Sequence, residues 1–407
     1  MKVAIIGGGI LGLATAYRLQ QVLPDVEVTV LEKEPACGQH QTGHNSGVLH
    51  CGLYYRPGSR RAKLARRGLK QMVEFCREHD IMHEVCGKVV VATEAEEIPR
   101  LEKLFERGQE NGLEGLKRLT PEELREHEPH VAGLAAIHVP EEGIADFGGV
   151  VARLQKIVTG RGGQVVTGAR VERVRRDGGG WQLEYPSDAG GGELQCDFLV
   201  GCAGLHSDRV AALTGRRPKL RIVPFRGEYY LLRPERRHLV RNLIYPVPDP
   251  RFPFLGVHFT RRVDSGAHAG GVEAGPNAVL AFAREGYKKT DINFGDLAEA
   301  VLHPALWRFL ARYPGASLRE LMRSLSPRRF CASLQRLIPE IELEDLEIGG
   351  SGVRAQAMTP QGTLVDDFEF AESAGELHVL NAPSPGATAS LAIGEEIARR
   401  VAETVQQ

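Results

Sequence analysis

Val3-Ala4-Ile5-Ile6-Gly7-Gly8-Gly9-Ile10-Leu11-Gly12 stands at the head of the sequence and decides its fold. Four apolar residues in a row suit a short strand buried on both faces of a parallel sheet. The glycines that follow have the spacing Gly7-x-Gly9-x-x-Gly12, and residues 13–22 continue as a helix. In such a turn the first glycine makes the sharp bend. The second lets backbone approach a pyrophosphate, and the third allows close helix–strand contact. Ile10 and Leu11 lie where helix N–H groups meet phosphate. Residues 26–31 form a second apolar run ending at Glu32, which lies 20 residues past Gly12 and is followed by Lys33. An acid there hydrogen-bonds a ribose 2′-OH and repels a 2′-phosphate. Strand, turn, helix, strand and acid within about 30 residues make a βαβ dinucleotide-binding unit.

Two later segments favour FAD over a nicotinamide. Val200-Gly201-Cys202-Ala203-Gly204 follows a strand and resembles the Ala-Gly motif of flavoprotein oxidoreductases, where the chain passes back over the cofactor. Val171, within the β-type run 164–174, is taken as a further contact. Ser384-Pro385-Gly386-Ala387-Thr388 opens the last helix, expected over 387–403. A helix start there offers N–H groups to the flavin pyrimidine edge, where negative charge accumulates on reduction. Non-covalent FAD is therefore the expected cofactor. Cys37 and Cys51 raise covalent attachment, but small buried thiols are the plainer reading.

The chain has 407 residues, 42% of them hydrophobic, and a formal net charge of −1. That supports two or three domains and argues against a nucleic-acid partner. The seven cysteines form no C-x-x-C pair, so a reducing cytoplasm is the natural reading and a zinc site or disulfide framework is not. His40, His44 and His50 invite a metal, but glycines interrupt them and no carboxylate or thiol pair completes a set, so none is expected. No repeat or low-complexity linker interrupts the chain. Helices are expected over 60–79, 99–111, 121–126 and through 296–336. Strands are expected over 222–232, 254–260, 278–282 and 378–380, with hairpin turns at 178–180 and 190–192.

The segment His40-Gln41-Thr42-Gly43-His44-Asn45-Ser46-Gly47-Val48-Leu49-His50 is the most specific part of the sequence. With Gly256-Val257-His258-Phe259-Thr260 and Gly275-Pro276-Asn277-Ala278-Val279, it resembles the L-2-hydroxyglutarate dehydrogenase/oxidase family of the D-amino-acid-oxidase-like FAD superfamily. The resemblance implies an α/β fold: a Rossmann-like FAD-binding domain (1–85, 146–215, 337–407) interleaved with a smaller antiparallel-sheet substrate domain of α+β character (86–145, 216–336). It places Thr42, His44, Asn45, Ser46 and Gly47 against the cofactor. It also implies oxidation of a 2-hydroxy diacid, with electrons leaving through a quinone, another acceptor or oxygen. Residues 264–274 depart from the family pattern, being longer and richer in glycine than the turn expected there.

Such a reaction needs the carboxylate fixed, the hydroxyl proton removed and C2–H aimed at the flavin. A planar guanidinium suits the first task, and Arg354, just past the glycines at 349, 350 and 352, is the best placed. His258 and His50 compete as general base, with His258 the first choice. Arg226 and Tyr54 (or Tyr55) are partners for the second carboxylate. Two segments offer a peripheral contact with the inner face of a membrane. One is the basic helix at 60–79; the other is 302–322, expected to expose Trp307, Phe309 and Leu310. An amine or amino-acid oxidase, a glycerol-3-phosphate dehydrogenase, an NAD-dependent dehydrogenase and a non-catalytic flavin-binding regulator remain as alternatives.

Overall fold

In the computed structural model, residues 1–186, 191–263 and 270–405 are described. The strand Lys2–Ile6 pairs in parallel with Glu27–Leu31 on one side and Phe198–Gly201 on the other. Gln164–Val166 and Glu376–Asn381 extend this sheet in parallel, and Glu369–Ser373 closes one edge antiparallel. The alternation of side chains decides what covers each face. Val3 and Ile5 pack with Leu13, Leu154, Ile393 and Ile397 beneath the helices Ile10–Val22, Phe147–Gly160 and Ser390–Val405. Ala4 and Ile6 pack with Trp181 and Leu183 of a three-stranded antiparallel sheet. A strand apolar on both faces is thus buried on both.

The larger sheet is mixed but mostly antiparallel. Its order runs Val279–Leu280, Arg221–Leu232, Val272–Gly275, His258–Arg261, Leu243–Pro246, Lys88–Ala92, Ala135–Val139, Lys117–Leu119. Among the described residues, its one parallel pairing joins Leu243–Pro246 to Lys88–Ala92. Its core takes Phe330 and Leu334 from the helix Pro327–Leu334.

Several sequence expectations shift here. Leu346–Met358 pairs antiparallel along Arg221–Leu232. That strand therefore joins the larger sheet, although the sequence division put residues 337–407 with the nucleotide-binding part. The strand expected over 254–260 begins only at His258, and that over 278–282 shortens to Val279–Leu280. Four helices fill the region 294–334, and the last three of them begin with proline. Phe309 is buried at 1% exposure, contrary to its expected place on the surface, because it packs with Phe225 and Leu306. The turn at 190–192 and the long segment at 264–274 fall partly outside the described residues.

The helix Arg60–Glu78 matches its expected span, but most of its basic face is already used. Arg61 donates to the Ser384 and Asp366 carbonyls, Arg66 pairs with Glu141, and Arg67 donates to the Ala392 carbonyl. Arg61 and Arg67 thus tie the helix to the C-terminal segment and Arg66 ties it to Glu141, so these arginines do not form the free membrane surface the sequence offered.

Candidate active site

The nucleotide turn is built by contacts that exclude side chains. Gly7 has φ +112, and a Cβ there would lie 2.4 Å from the Cys202 carbonyl oxygen. A Cβ on Gly12 would lie 1.9 Å from the Gly7 carbonyl oxygen. Overpacking of backbone against backbone costs about 1–3 kcal/mol or more, and here it would spread the turn. Gly12→Ala is expected to purify with most of its flavin lost, read from the ratio of flavin to protein absorbance. Wild-type flavin content in that variant would contradict the reading of this turn.

A cavity of about 1060 Å³ opens from this turn. Small-molecule sites commonly enclose about 300–1,000 Å³, so this one has room for an extended dinucleotide and a small substrate together. Gly7, Gly9, Ile10 and Leu11 line it. Gly9 precedes the helix Ile10–Val22 and brings no capping side chain; Thr42 takes the Ile10 N–H, and the rest of the first turn is left for a phosphate. Glu32 and Lys33 follow on the wall. Glu32 accepts from the Gly8 N–H at 2.7 Å and the Glu34 N–H at 2.9 Å, so its carboxylate is fixed in place. Val171, Ala203 and Gly204 line the cavity as well.

Thr42, His44, Asn45 and Ser46 also reach the cavity. Thr42 Oγ1 accepts from the Ile10 N–H at 3.1 Å, and the Asn45 amide donates to the Thr42 carbonyl at 2.6 Å. The His44 ring stacks on Tyr287 at 3.9 Å, a contact with no sequence signal. Ser384, Pro385, Gly386, Ala387 and Thr388 also line the cavity. They arrive as a turn, because the terminal helix begins at Ser390 rather than 387. Thr388 Oγ1 accepts from the His50 N–H at 3.2 Å and donates to the Val48 carbonyl at 3.1 Å, which joins this turn to the 40–50 loop.

Three residues predicted from sequence are off the wall. Gly12 and Gly47 stand behind it, Gly12 packing the turn and Gly47 shaping the loop at φ +71. Arg226 is a correction of another kind. Phe225 stands opposite Arg354 across the paired strands, so Arg226 points to the other face. There it pairs with Glu228 at 3.0 Å and donates to the Lys288 carbonyl, away from the cavity.

Tyr54, His50, His258 and Arg354 line the same cavity. Arg354 donates to the Asn277 carbonyl at 3.3 Å and lies 5.6 Å from the centre of the Phe254 ring. The strand carrying it comes close to the 40–50 loop because Gly352 has no side chain. A Cβ on Gly352 would lie 2.3 Å from the His44 carbonyl oxygen. His258 Nδ1 is 2.8 Å from the Gly256 carbonyl oxygen. A carbonyl only accepts, so Nδ1 carries the proton and Nε2 keeps its lone pair. Burial, with Arg354, His50 and Lys88 nearby, pushes His258 down to about 3, despite the opposing hydrogen bond to Gly256. The Tyr54 hydroxyl is buried without a hydrogen-bond partner, and burial raises it well above the usual phenol range, so it remains a donor.

Cys51 is fully buried, and burial, with Glu142 beside it, raises its thiol well above the ordinary value. Cys37 is pushed up to about 11, again chiefly by burial. Neither supplies the thiolate that covalent attachment would need. Sequence reading missed Glu142, Lys88 and Tyr245. Lys88 carried a faint signal as a lysine heading the apolar run Val89-Val90-Val91.

A dinucleotide cradle opening onto an arginine and two histidines defines a flavin-dependent oxidoreductase, and the chain belongs to the FAD dependent oxidoreductase (DAO) family, whose model matches residues 2–400. Within that family it is 49% identical over 394 residues to the L-2-hydroxyglutarate dehydrogenase of Indibacter alkaliphilus, covering 97% of this chain and 96% of that one. It is 46% identical over 416 residues to the mitochondrial L-2-hydroxyglutarate dehydrogenase of Nematostella vectensis, covering 98% and 90%. Its fold is similar to that of dithionite-reduced L-alpha-glycerophosphate oxidase from Mycoplasma pneumoniae with FAD bound. The TM-score is 0.78 at 21% identity, covering 100% and 94% of the two chains.

Proposed function

We propose that this enzyme oxidises L-2-hydroxyglutarate to 2-oxoglutarate, with the reacting carbon held between Arg354 and the two histidines. The observation that carries the reading is the placement of Arg354, His50 and His258 on one cavity with the dinucleotide cradle. It is supported by near-full-length relatives named for that substrate. Bound FAD supplies the acceptor for the hydride that leaves C2. The chain's own residues do the rest.

Arg354 pairs its fork with the C1 carboxylate, held ready by Asn277 and Phe254. Tyr54 donates its free hydroxyl to an oxygen of the second carboxylate, the task the sequence reading shared with Arg226. His50 takes the hydroxyl proton as the C2–H bond breaks. The sequence favoured His258 for this step, but a buried imidazole facing Arg354 and Lys88 is a poor place for a new positive charge. His50 instead has the Glu142 carboxylate 3.6 Å from Nδ1. His258, neutral with Nε2 free, accepts a hydrogen bond and orients the hydroxyl.

An anaerobic panel of amino acids, glycerol 3-phosphate and 2-hydroxy acids, followed by bleaching of the flavin, separates this reading from the oxidases of the same fold. Bleaching by a 2-hydroxy diacid alone is expected. Bleaching by an amino acid or glycerol 3-phosphate instead would overturn the reading.

A membrane quinone as electron acceptor is the second part of the proposal. No helix among the described residues is long and apolar enough to cross a membrane. The helices between 294 and 325 nonetheless expose Phe294 (82%), Leu302 (79%), Trp307 (57%), Leu318 (59%) and Leu325 (67%), with Arg319 exposed among them. Apolar side chains interleaved with basic ones fit an anionic lipid surface. The enzyme is expected to sediment with anionic vesicles at low salt, and Leu318→Asp/Leu325→Asp to release it. Failure of the wild type to sediment would count against this surface.

A further inference from the structure

Behind His50 lies a buried assembly of charged and aromatic side chains brought together from separate segments of the chain. Lys88 heads the strand Lys88–Ala92 and Glu142 directly precedes the strand Gly143–Ala145. Their side chains are 0% and 1% exposed, and Lys88 Nζ lies 2.7 Å from Glu142 Oε2. The same Oε2 is 3.6 Å from His50 Nδ1. Glu142 Oε1 accepts from the Cys51 N–H at 3.3 Å and from its thiol at 3.1 Å. Lys88 Nζ faces the Tyr54 ring at 4.5 Å and the Tyr245 ring at 4.8 Å. Tyr245 in turn stacks on His258 at 3.9 Å.

Two ions removed from water are expensive to keep, and apolar residues of similar size would commonly be as stable or more so. A purely structural explanation is therefore weak. Two features of the assembly point to work done at the cavity. Neither His50 Nδ1 nor Glu142 Oε2 has an aligned hydrogen bond, although both atoms are buried and face each other. And the backbone on either side of His50 is fixed independently, through Thr388 at the His50 N–H and Glu142 at the Cys51 N–H. The imidazole is the part left to turn, and Glu142 is the acceptor at its back.

We infer that Glu142 is a positioning residue that holds His50 with its proton on Nδ1 and its Nε2 lone pair toward the substrate hydroxyl, and that Lys88 keeps this carboxylate ionised and fixed. Burial by itself would raise the Glu142 carboxyl. The Lys88 ammonium and the neighbouring His50 outweigh it and hold the carboxyl well below the usual carboxylate range. When His50 Nε2 takes the hydroxyl proton, the imidazolium that forms lies against this anion. The proton moves from the substrate oxygen to Nε2, the O–H electrons remain to form the C=O bond, and Nδ1 keeps its own proton throughout. The two histidines also share a support, since Lys88 stands between Glu142 and the Tyr245 ring that carries His258.

The inference rests on His50 as proton acceptor, and its test is read on the holoenzyme in two independent ways. In the nitrogen-15 spectrum of histidine-labelled enzyme, with the His50 resonances assigned by their absence from His50→Ala, the expected tautomer has Nδ1 protonated and Nε2 bare. A proton on Nε2 instead would overturn the inference whatever substrate the enzyme prefers. The second reading is kinetic. Lys88→Met/Glu142→Leu removes both charges together and so leaves no unpaired buried ion. It is expected to retain flavin and to lose about 10–100-fold in the limiting rate of flavin reduction, a common scale for residues that orient a reacting imidazole. The half-saturating substrate concentration should not move. An unchanged limiting rate in a flavin-loaded double variant would make the pair mere packing and overturn the inference. If wild-type enzyme is not reduced by L-2-hydroxyglutarate at all, it is the substrate reading that fails, and the tautomer still decides the role of Glu142.

Discussion

His50→Ala is expected to slow reduction of the bound flavin by L-2-hydroxyglutarate by about 10²–10⁴-fold, the usual worth of a positioned general base. The effect should fall on the limiting rate in a rapid-mixing experiment, with little change in the substrate concentration needed for half saturation. The reason lies in the surroundings of the two cavity histidines. His50 has an anion, Glu142, 3.6 Å behind it. His258 has Arg354 and Lys88 as its charged neighbours and is pushed down to about 3, chiefly by burial. Protonating His50 in the transition state is therefore compensated, whereas protonating His258 is not. His258→Ala is expected to lose less, because it removes a hydrogen-bond acceptor and the ring stacked on Tyr245 but no proton carrier. A His258 variant that is slower than the His50 variant by tenfold or more would reverse the two roles.

Arg354→Met should raise KM for L-2-hydroxyglutarate by about 10- to 150-fold, the equivalent of about 1.5–3 kcal/mol for charge-assisted hydrogen bonds. Methionine keeps most of the length and apolar bulk beside Phe254 while removing the fork. Two other arginines nearby are already committed elsewhere. Arg226 is turned to the far side of its strand and committed to Glu228, and Arg61 is spent on the Ser384 and Asp366 carbonyls. The change should be larger for the diacid than for flavin retention, which the substitution should leave intact. An unchanged KM in a flavin-loaded variant would remove Arg354 from the substrate site.

The dinucleotide half of the site was legible because its signals are local. Gly7 and Gly12 meet each other within one turn, so their spacing carries the geometry. Residues whose roles depend on strand register were not legible. Arg226 was read as a substrate contact because it lies beside Gly227 and Tyr229. Only the pairing of Phe225 with Arg354 shows which face it takes. The strand Leu346–Met358 was not among the strands expected from sequence. Its glycines at 349, 350 and 352 weaken any strand signal, yet Gly352 is what lets it lie against the His44 carbonyl. His258 was favoured for its apolar neighbours, and those same neighbours, by excluding water, make it the poorer proton acceptor. Lys88 and Glu142 meet only through tertiary structure. In sequence one is a strand-leading lysine and the other an acid in a turn.

The most direct test of the central claim is an anaerobic titration of the purified flavoenzyme with the two enantiomers of 2-hydroxyglutarate, followed by the visible absorption of the oxidised flavin. Stoichiometric bleaching by the L form, with 2-oxoglutarate appearing in equal amount and the D form inert, is the expected result. A flavin that stays oxidised with L-2-hydroxyglutarate, or that bleaches equally with both enantiomers, would contradict it.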